Sequence, residues 1–566
     1  MIVLVAPPAQ ERSGGARASL VAVAQVRLMM LLLLFAAAVL AILVRLAVLG
    51  IGAEPRSIRN TAAVLLPLRG DIADRNGTPL ARTIDAWTIG VHPDRVIGDK
   101  AELARELHAL MPEKSVAWYH RQLTAETSFR YLRRRALPEL VAQVNALGEP
   151  GIGFSREPER LYPQGALAAH VLGYVNRDGK GLRGMERVLD AQLTDPEARS
   201  EPVQLSIDLR VQAALENELA RAMADFQAAG AAGVILDVAN GEVLGMVSLP
   251  SFNPNNVNGT VAPMNNVTQS VYELGSTFKP IAAALAVESG AVSSMARRFD
   301  ATEPLKVGRF TIRDDHAQNR WLNIPETLIH SSNIATARIA AELGRERIEE
   351  MFRKLHFDTR PQIEIETGRT LWPNYWGETT TMTVAYGHGI AVTPLHLAQA
   401  YAALVNGGIW RPATLLRTPA GAPPEGERVF SESTSARMRQ LLRLIVTEGT
   451  GRNADAAGYR VGGKTGTAEK TGDGGYSRSQ NVSTFAAAFP MDAPRYVVIA
   501  MLDSPQGTAA SFGQRTAGWT AAPVVSRVIQ RTGPMLGVIP DPRRDVNLAE
   551  LQPLLWKAPG QEAAGQ

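Results

Sequence analysis

The feature that most constrains this chain is a run of apolar residues near its N-terminus. Residues Leu28 to Val44 carry no charge, and after Arg45 the apolar run continues to Gly52. Such a stretch can span the hydrocarbon core of a bilayer, about 30 Å thick, if the Arg45 side chain reaches the membrane surface. The sequence therefore predicts one transmembrane anchor over residues 28–52, and no second span is apparent in the sequence.

The charges that precede this run indicate its orientation. Arg12, Arg17 and Arg27 are accompanied by a single acid, Glu11, and basic residues favour the cytoplasmic side of a span. We therefore expect residues 1–27 in the cytoplasm and the bulk of the chain outside. The alternative is a cleaved signal peptide, but the run is long for one, and Ile51 occupies a position of the candidate cleavage site that requires a small residue.

The composition argues against several classes of protein. With 566 residues, the chain is long enough for two or three folded units. It has no cysteine, which excludes disulfides, thiolate nucleophiles and cysteine-based metal sites. The nine histidines form no ligand pair of the HExxH type, so we predict no metal and no cofactor. Because 59 basic residues are nearly balanced by 55 acidic ones, the charge does not favour a nucleic-acid partner.

Turn signals and apolar patterns organise the segment after the anchor. Asn76-Gly77, within Arg69–Ala81, predicts a tight turn between two strands. Leucines at helical spacing predict helix over residues 100–147. The many glycines of residues 160–187 predict an extended, turning segment and not a compact unit.

Two hairpin signals delimit a second region. Gly233–Leu249 and Ser483–Asp503 each have the pattern of a strand, a turn and a strand, and long helical stretches lie between them. This order predicts an α+β domain with helices around a largely antiparallel sheet. We place the domain boundary just before the first hairpin, so that residues 53–230 precede a domain of residues 231–546. Residues 547–566, rich in Pro, Gln, Ala and Gly, are expected to form a flexible tail.

A serine and a lysine three residues apart, Ser276 and Lys279, form the first candidate site. Since Pro280 is tolerated only in the first turn of a helix, any helix here must begin close to Ser276. Both side chains then lie on one face, and the free N–H groups of the helix N-terminus offer positive potential to the serine oxygen. A desolvated lysine can accept a proton and activate a serine without histidine. Taken alone, this pattern is more often an ordinary helix cap.

A second candidate is Ser331-Ser332-Asn333. A hydroxyl and an amide two residues apart can point into one cleft, where the hydroxyl passes a proton and the amide holds a substrate carbonyl and the lysine amine. The alternative is a plain cap, with Ser331 or Ser332 starting the next helix.

The third candidate lies within Gly462–Lys470, which contains Lys464, Thr465, Gly466 and Thr467. If this segment is a strand, its cation and hydroxyls suit a peptide carboxylate, and Gly466 allows the backbone to approach a ligand closely. The alternative is a solvated turn.

The three patterns occur in the order SxxK, SxN and KTG, which is the trio of penicillin-binding proteins and class A β-lactamases. The chain resembles the class B penicillin-binding proteins, and within them the division-specific peptidoglycan D,D-transpeptidases. The resemblance extends over nearly the whole chain after the anchor, through RGDIADRNGTPLA, RLYPQGALAAHVLGYV, GLRGMER, LSIDLRVQ and AYGHGIAVTPLHLAQAYAALVNGG. It implies an α+β chain with an N-terminal transmembrane helix, an elongated pedestal domain, and a transpeptidase domain like those of serine β-lactamases and D,D-peptidases.

The resemblance also implies a catalytic role for five residues. Ser276 would be the nucleophile that forms the acyl-enzyme, and Lys279 the base for acylation. Ser331, Asn333 and Lys464 would complete the proton relay and the contacts to substrate. Ser276 would attack the D-Ala-D-Ala bond of a stem peptide and expel D-alanine, after which an amine from a neighbouring stem forms the cross-link. Attack by water would give carboxypeptidase activity.

The same resemblance assigns the substrate-binding residues. Lys464, Thr465, Gly466 and Thr467 would bind the carboxylate of the substrate or of a β-lactam. The backbone N–H groups of Ser276 and Thr467 would form the oxyanion hole.

The chain departs from the family pattern at two places. Leu274-Gly275 precedes the nucleophile where Pro-Gly is frequent, which bears on the rigidity of the turn. His388 stands where an aromatic residue is common; it can contact substrate, although a loop histidine is more often structural.

Four alternatives share this fold. A class A bifunctional synthase would need a glycosyltransferase domain, and residues 55–230 lack its E-D-x-x-F motif. An elongation-specific class B enzyme would have the same chemistry. Three intact motifs argue against a non-catalytic scaffold; a β-lactam sensor could keep them but should carry several membrane spans, and one is apparent. A small β-lactamase would need neither anchor nor pedestal.

The implied partners are peptidoglycan stem peptides, β-lactams, a membrane-embedded glycosyltransferase of the shape, elongation, division and sporulation type, and the proteins of the division complex. The implied location is the inner membrane at the division site, with the catalytic domain outside the cytoplasm. The anchor helix is the natural contact for the membrane partners.

Overall fold

The computed structural model describes residues 14–52, 69–257, 262–419, 422–472 and 475–557, and it divides into two units, Met1–Leu66 and Pro67–Gln566. The first unit contains helix α1 (Gly14–Gly52), within which Gln25–Arg45 is long and apolar enough to cross a membrane. At 1.5 Å per residue, these 21 residues extend about 31 Å, the thickness of a bilayer core. The predicted anchor, residues 28–52, lies within this helix; of the predicted cytoplasmic segment, residues 1–13 lie outside the described residues.

The second unit begins with residues 69–208, which we call the pedestal. Its strands are β1 (Ile72–Ala73), β2 (Pro79–Val91), β3 (Arg130–Ala136), β4 (Ile152–Leu161), β5 (Tyr174–Val175), β6 (Gly181–Arg183) and β7 (Val203–Gln204), and its helices are α2 (Lys100–Leu110), α3 (Val116–Leu123), α4 (Pro138–Asn145), α5 (Ala169–Leu172), α6 (Gly184–Val188) and α7 (Asp190–Thr194). The main sheet has the order β3-β2-β1-β7, with β4 also paired to β2; β1 and β7 are parallel. The predicted turn at Asn76-Gly77 joins β1 to β2 and is closed by a hydrogen bond from Asp74 N to Thr78 O (2.9 Å).

Two predictions for the pedestal were wrong. The expected helix over residues 100–147 is interrupted by strand β3, because the arginines of this strand pair with acids distant in sequence: Arg135 reaches Glu159 at 2.9 Å. Such tertiary contacts override local helical pattern. Residues 160–187 are also compact and not merely extended, since α5, α6 and the β5–β6 hairpin bury apolar side chains such as Met185 in the main core.

Residues 209–557, which we call the C-terminal region, complete the second unit. Its strands are β8 (Gly230–Asp237), β9 (Val243–Leu249), β10 (Arg298–Ala301), β11 (Leu305–Val307), β12 (Phe310–Ile312), β13 (Arg320–Asn323), β14 (Ile409–Trp410), β15 (Glu427–Arg428), β16 (Gly462–Gly472), β17 (Gly475–Phe489) and β18 (Tyr496–Asp503). Its helices are α8 (Leu209–Asp225), α9 (Lys279–Glu288), α10 (Ile324–Ile329), α11 (Asn333–Leu343), α12 (Arg345–Lys354), α13 (Glu378–Val384), α14 (Pro394–Val405), α15 (Glu432–Glu448) and α16 (Ala521–Thr532).

The centre of this region is an antiparallel sheet of order β16-β17-β18-β8-β9, which contains both predicted hairpins. Helices cover both of its faces. Alternate side chains of β18 therefore enter two different cores: Val497, Ile499 and Met501 pack in the core that includes α9, α14 and α15, and Val498, Ala500 and Leu502 in the core that includes α8 and α16. Burial on both faces explains why β18 is a nearly continuous apolar run. The predicted α+β class is confirmed, and β16 lies at one edge of the sheet.

Two features of the structure bear on the predicted domain bounds. Helix α8, which a boundary at residue 230 assigns to the pedestal, packs on the sheet through Leu215 and Leu219. The tail predicted from residue 547 onward is in part ordered, because Leu551 is fully buried and Asn323 Nδ2 donates to Leu554 O (2.7 Å). Its leucines and Trp556 supply apolar surface that the Pro and Gln content concealed; residues 558–566 lie outside the described residues.

Candidate active site

The first candidate motif forms a tight turn that leads into helix α9. Residues Gly275–Phe278 form one turn of 3₁₀-helix, and α9 continues from Lys279 with Pro280 in its first turn, as predicted. Because side chains three apart overlie one another in a 3₁₀ turn, Ser276 and Lys279 face the same side. Phe278 is fully buried, with its ring 5.2 Å from that of Phe357. Ser276 is half-buried, whereas Lys279 is almost completely buried.

Three segments meet backbone to backbone at this turn. Gly275 has a positive φ of 54°, and a Cβ built on it would lie 2.8 Å from Thr467 O. A Cβ on Gly466 would clash with Leu274 O, and one on Gly387 would clash with Gly275 O. The space that we assigned to a ligand at Gly466 is therefore occupied by the chain's own backbone. The contacts hold the turn between strand β16 and the loop after α13.

The second motif separates the capping role from the chemical one. Ser332 caps helix α11, since its hydroxyl accepts from Ala335 N at 3.0 Å. Ser331 precedes it with a φ of 58°, in the left-handed region that a non-glycine residue rarely adopts. A strained backbone conformation of this kind persists where the surrounding contacts hold it in place, which is often the case at functional sites. The cap alternative thus holds for Ser332 and leaves the Ser331 hydroxyl available.

Two buried lysines share that hydroxyl. Lys279 Nζ lies 3.0 Å from Ser331 Oγ and 2.5 Å from Ser331 O. Lys464 Nζ lies 2.9 Å from the same Oγ, and it also donates to Thr465 O at 3.0 Å. Both ammonium groups are buried. The residues predicted from three separate motifs therefore meet around one hydroxyl, with Lys464 on edge strand β16 as expected.

Burial makes the protonated forms of these lysines unfavourable. Loss of water lowers the pKa of Lys279 to about 7, although the nearby charges of Asp314 and Asp315 act to raise it. Burial also lowers the pKa of Lys464 well below its usual range, and the adjacent charge of Lys279 lowers it further. A lysine with a pKa near 7 is partly neutral at physiological pH, so its amine can accept a proton.

The threonines of the third motif are held by neighbouring loops. Thr465 Oγ1 lies 2.9 Å from Thr450 Oγ1, and Thr467 Oγ1 accepts from Ala517 N at 3.1 Å. Thr467 is half-buried, and its backbone touches the turn that contains Ser276. A cation, hydroxyls and a strand edge are thus collected beside Ser276.

The sequence analysis missed Asp314, which fixes the second motif. Its carboxylate accepts from Asn333 N (2.6 Å), Ile334 N (2.9 Å) and the Ser332 hydroxyl (2.7 Å). The carboxylate thereby satisfies the free N–H groups at the N-terminus of α11. The loop sequence RDDHAQ gives no local signal of this contact, which depends on the fold. The side-chain amide of Asn333 donates a hydrogen bond to Arg313 O (2.9 Å). We had expected this amide to contact the lysine amine.

His388 lies on the other side of the Ser276 turn. Its Nδ1 is 3.7 Å from Glu273 Oε2, and Glu273 Oε1 accepts from Gly389 N at 2.9 Å. Burial lowers the pKa of His388, and the charge of Lys279 lowers it further. The histidine has a carboxylate neighbour, which supports the structural interpretation. Among the described residues, no group of three acids and histidines could hold a metal ion.

Comparisons with known proteins agree with this geometry. Residues 231–530 match the family described as penicillin binding protein transpeptidase domain, and residues 64–197 match the penicillin-binding protein dimerisation domain. The chain is 41% identical over 490 residues to a protein named probable peptidoglycan D,D-transpeptidase FtsI from Caulobacter vibrioides, covering 83% of this chain and 82% of that one.

Two further relatives are informative. Peptidoglycan D,D-transpeptidase FtsI of Escherichia coli is 30% identical, with 84% of each chain covered, and stage V sporulation protein D of Bacillus subtilis is 32% identical, with 84% of this chain and 79% of that one covered. A crystal structure of penicillin binding protein 3 from Mycobacterium tuberculosis, complexed with aztreonam, superposes with a TM-score of 0.65 at 25% identity, covering 85% of this chain and 99% of that one. With both domains matched in order behind an apolar N-terminal helix, the chain belongs to the class B penicillin-binding proteins.

Proposed function

We propose that this protein is a serine D,D-transpeptidase that cross-links peptidoglycan stem peptides during septal wall synthesis. The observation that carries the proposal is the Ser331 hydroxyl shared by Lys279 and Lys464 beside the Ser276 turn. Buried amines with lowered pKa values, next to a serine at the start of a helix, supply a base and a nucleophile without histidine.

Acylation begins with the neutral amine of Lys279. It takes the proton from Ser276 Oγ, which attacks the carbonyl carbon of the D-Ala-D-Ala bond. The N–H groups of Ser276 and Thr467 stabilise the oxyanion of the tetrahedral intermediate. Ser331 then relays a proton to the leaving nitrogen, the C–N bond breaks, and D-alanine departs.

Deacylation repeats these reaction steps with a new nucleophile. An amine of a neighbouring stem gives its proton to the Lys279–Ser331 relay and attacks the carbonyl carbon of the Ser276 ester. The C–O bond to Ser276 then breaks, the relay returns the proton to Ser276 Oγ, and the cross-linking amide is released. Water in place of the amine gives carboxypeptidase activity. Lys464, Thr465 and Thr467 bind the terminal carboxylate of the donor stem, as they bind that of a β-lactam, and Asn333 shapes the cleft around it. Gly466 serves this site by allowing strand β16 to approach the Ser276 turn.

The test is intact-protein mass spectrometry after incubation of the detergent-solubilised chain with a penicillin. We expect a mass gain of one drug molecule on the parent and none on Ser276→Ala. As a control, Ser332→Ala retains Ser276 and should still form the adduct. An adduct that persists in Ser276→Ala would contradict the assignment of the nucleophile, and a folded parent without adduct would favour the scaffold alternative.

The septal role is supported by the relatives named FtsI, while the relative named for sporulation shows that the family also serves other processes. We place residues 1–27 in the cytoplasm, the anchor at 28–52, the pedestal domain within 53–230 and the transpeptidase domain at 231–546. The anchor would contact a membrane-embedded glycosyltransferase of the shape, elongation, division and sporulation type and other proteins of the division complex.

Replacing the anchor by an unrelated span tests this part of the proposal. We expect penicillin acylation to continue in the exchanged protein, whereas a fluorescent fusion loses its enrichment at the division site. Normal septal enrichment with the foreign span would contradict recruitment through the anchor. Enrichment of the parent along the lateral wall would favour the elongation-specific alternative.

A further inference from the structure

A cavity lies between the pedestal and residues 254–257 of the C-terminal region, with walls that share no residue with the lysine and serine cluster. Its volume is about 910 Å³, within the range of ligand-binding pockets. Strands β3 and β4, the β5–β6 hairpin and the loop at residues 254–257 contribute its walls. The cavity has no role in the proposed reaction.

The walls of this cavity are strongly basic. Two acids, Glu159 and Asp178, line it together with six arginines: Arg69, Arg134, Arg135, Arg160, Arg177 and Arg183. The arginines come from several different elements and therefore surround the space. Guanidinium groups donate paired hydrogen bonds in a planar fork that matches carboxylates.

The inner arginines are paired but not fully satisfied. Arg69 Nε and Arg160 Nε each lie 2.7 Å from opposite oxygens of Glu186, which is completely buried. Arg160 Nη2 is buried without a hydrogen-bond partner among the described residues. Arg160 lines the cavity and is more than nine-tenths buried. Because an unpaired buried donor is costly, a ligand that accepts from this group gains affinity there.

The outer arginines, Arg177 and Arg183, form no ion pair among the described residues, although Asp178 lines the same cavity. Arg183 Nη1 donates to a backbone oxygen, Ala262 O, at 3.3 Å. An acidic ligand would supply the negative charge that these two arginines lack among the described residues.

We propose that this cavity binds an acidic peptide segment of a partner protein, one that carries at least two separated carboxylates. An inner carboxylate accepts from Arg160, and a second carboxylate pairs with Arg177 and Arg183. A single small anion cannot reach cations that come from several elements around a space of this size. The proposal is independent of the catalytic roles assigned to Ser276 and the two lysines.

The probe is a fluorescein-labelled hexaglutamate peptide, titrated with the detergent-solubilised full-length chain by fluorescence anisotropy at low salt. The test variant is Arg177→Glu with Arg183→Glu, which leaves the buried Glu186 cluster intact. The matched control is Arg105→Glu with Arg121→Glu, two exposed pedestal arginines that change the net charge equally. Penicillin acylation of every variant reports folding, and it also separates failure of this proposal from failure of the proposed function.

We expect the parent and the control to bind the peptide, and the test variant to bind about tenfold or more weakly. Unlabelled hexaglutamate should compete, and hexaglutamine should not. No binding by the acylation-competent parent, or equal binding by the test variant and the control, would overturn the proposal. So would binding of soluble uncross-linked glycan strands, with the same sensitivity to Arg177 and Arg183, in place of the peptide.

Discussion

Two buried pairs of cations in this chain differ in the group that each pair shares. In the pedestal, Arg69 and Arg160 contact the two oxygens of the Glu186 carboxylate. In the C-terminal region, Lys279 and Lys464 contact one neutral hydroxyl, that of Ser331. All four cationic side chains are almost inaccessible to water, so burial alone does not distinguish the two clusters.

The difference lies in charge compensation and in the ability to lose a proton. Guanidinium groups stay charged, and a carboxylate makes their burial tolerable. Amines with no carboxylate between them reduce the cost of burial by deprotonation, which produces a base. The arginine cluster is therefore suited to holding the pedestal together, and the lysine cluster to moving protons.

The largest effect is expected for Lys279→Arg, which makes the lysine cluster resemble the arginine one. The guanidinium keeps its proton, so the acylation rate by a fluorescent penicillin should fall by up to about 10⁴-fold, ~5.5 kcal/mol of barrier. Stopped-flow or quenched-gel rates provide the measurement. The control Arg69→Lys should acylate like the parent. A Lys279→Arg rate within about tenfold of the parent would show that another group is the base.

The next effect is expected for Glu186→Gln, which removes the shared charge of the pedestal cluster. The buried guanidinium of Arg160 loses its carboxylate partner and that of Arg69 keeps only Asp190, so the free energy of unfolding should fall by about 3–5 kcal/mol. Urea unfolding of the solubilised chain measures the change. Glu342→Gln breaks the exposed pair with Arg297 and should cost no more than about 1 kcal/mol. If the two variants lose the same free energy of unfolding, burial of the Glu186 carboxylate is not what makes its ion pairs important.

A smaller effect is expected for Asp314→Asn, which removes the negative charge beside the lysine cluster. The neutral amide holds Asn333 N and Ile334 N less tightly, so acylation should slow by about tenfold, ~1.4 kcal/mol of barrier. Asp99→Asn, at the cap of pedestal helix α2, is the matched control and should acylate normally. If both variants match the parent, the contacts of Asp314 do not position the motif.

The smallest effect is a shift in the pH dependence of the acylation rate. The base is active when deprotonated, so the acylation rate should rise with pH through about 7 and then level off. The charge of Asp314 raises the pKa of Lys279, and the Asp314→Asn profile should therefore move to lower pH. Rates measured between about pH 5 and 9 test the sign. A profile that is flat through neutrality contradicts the role of Lys279.

The sequence predicted most of what depends on local chemistry. Ser276, Lys279, Ser331 and Lys464 were all identified from short motifs. The structure joins Lys279, Ser331 and Lys464 by hydrogen bonds and places Ser276 in the turn that leads to Lys279. Asp314 was missed because its partners are amides whose availability depends on where helix α11 begins. Which of two serines caps that helix was likewise left open, since only the backbone angle of Ser331 separates them.

The errors in the fold predicted from the sequence have a related cause. The sequence of strand β3, RYLRRRA, forms a strand because its arginines pair with acids on β4. These acids are distant in the chain, so a local sequence pattern does not include them. The tail was assigned by its Pro and Gln content, whereas Leu551 and the hydrogen bond to Asn323 fix it. Long-range ion pairs and the burial of a few leucines are decided by packing.

The meeting of Gly275, Gly387 and Gly466 also bears on how such an enzyme can change over generations. The position of the nucleophile is set by main chains in contact, with no side chain between them. Residues that line the cleft can therefore be exchanged, and drug affinity altered, while the reactive serine stays in place. Susceptibility to an inhibitor and competence in wall synthesis are separable traits in this architecture, whereas replacement of any of the three glycines removes both.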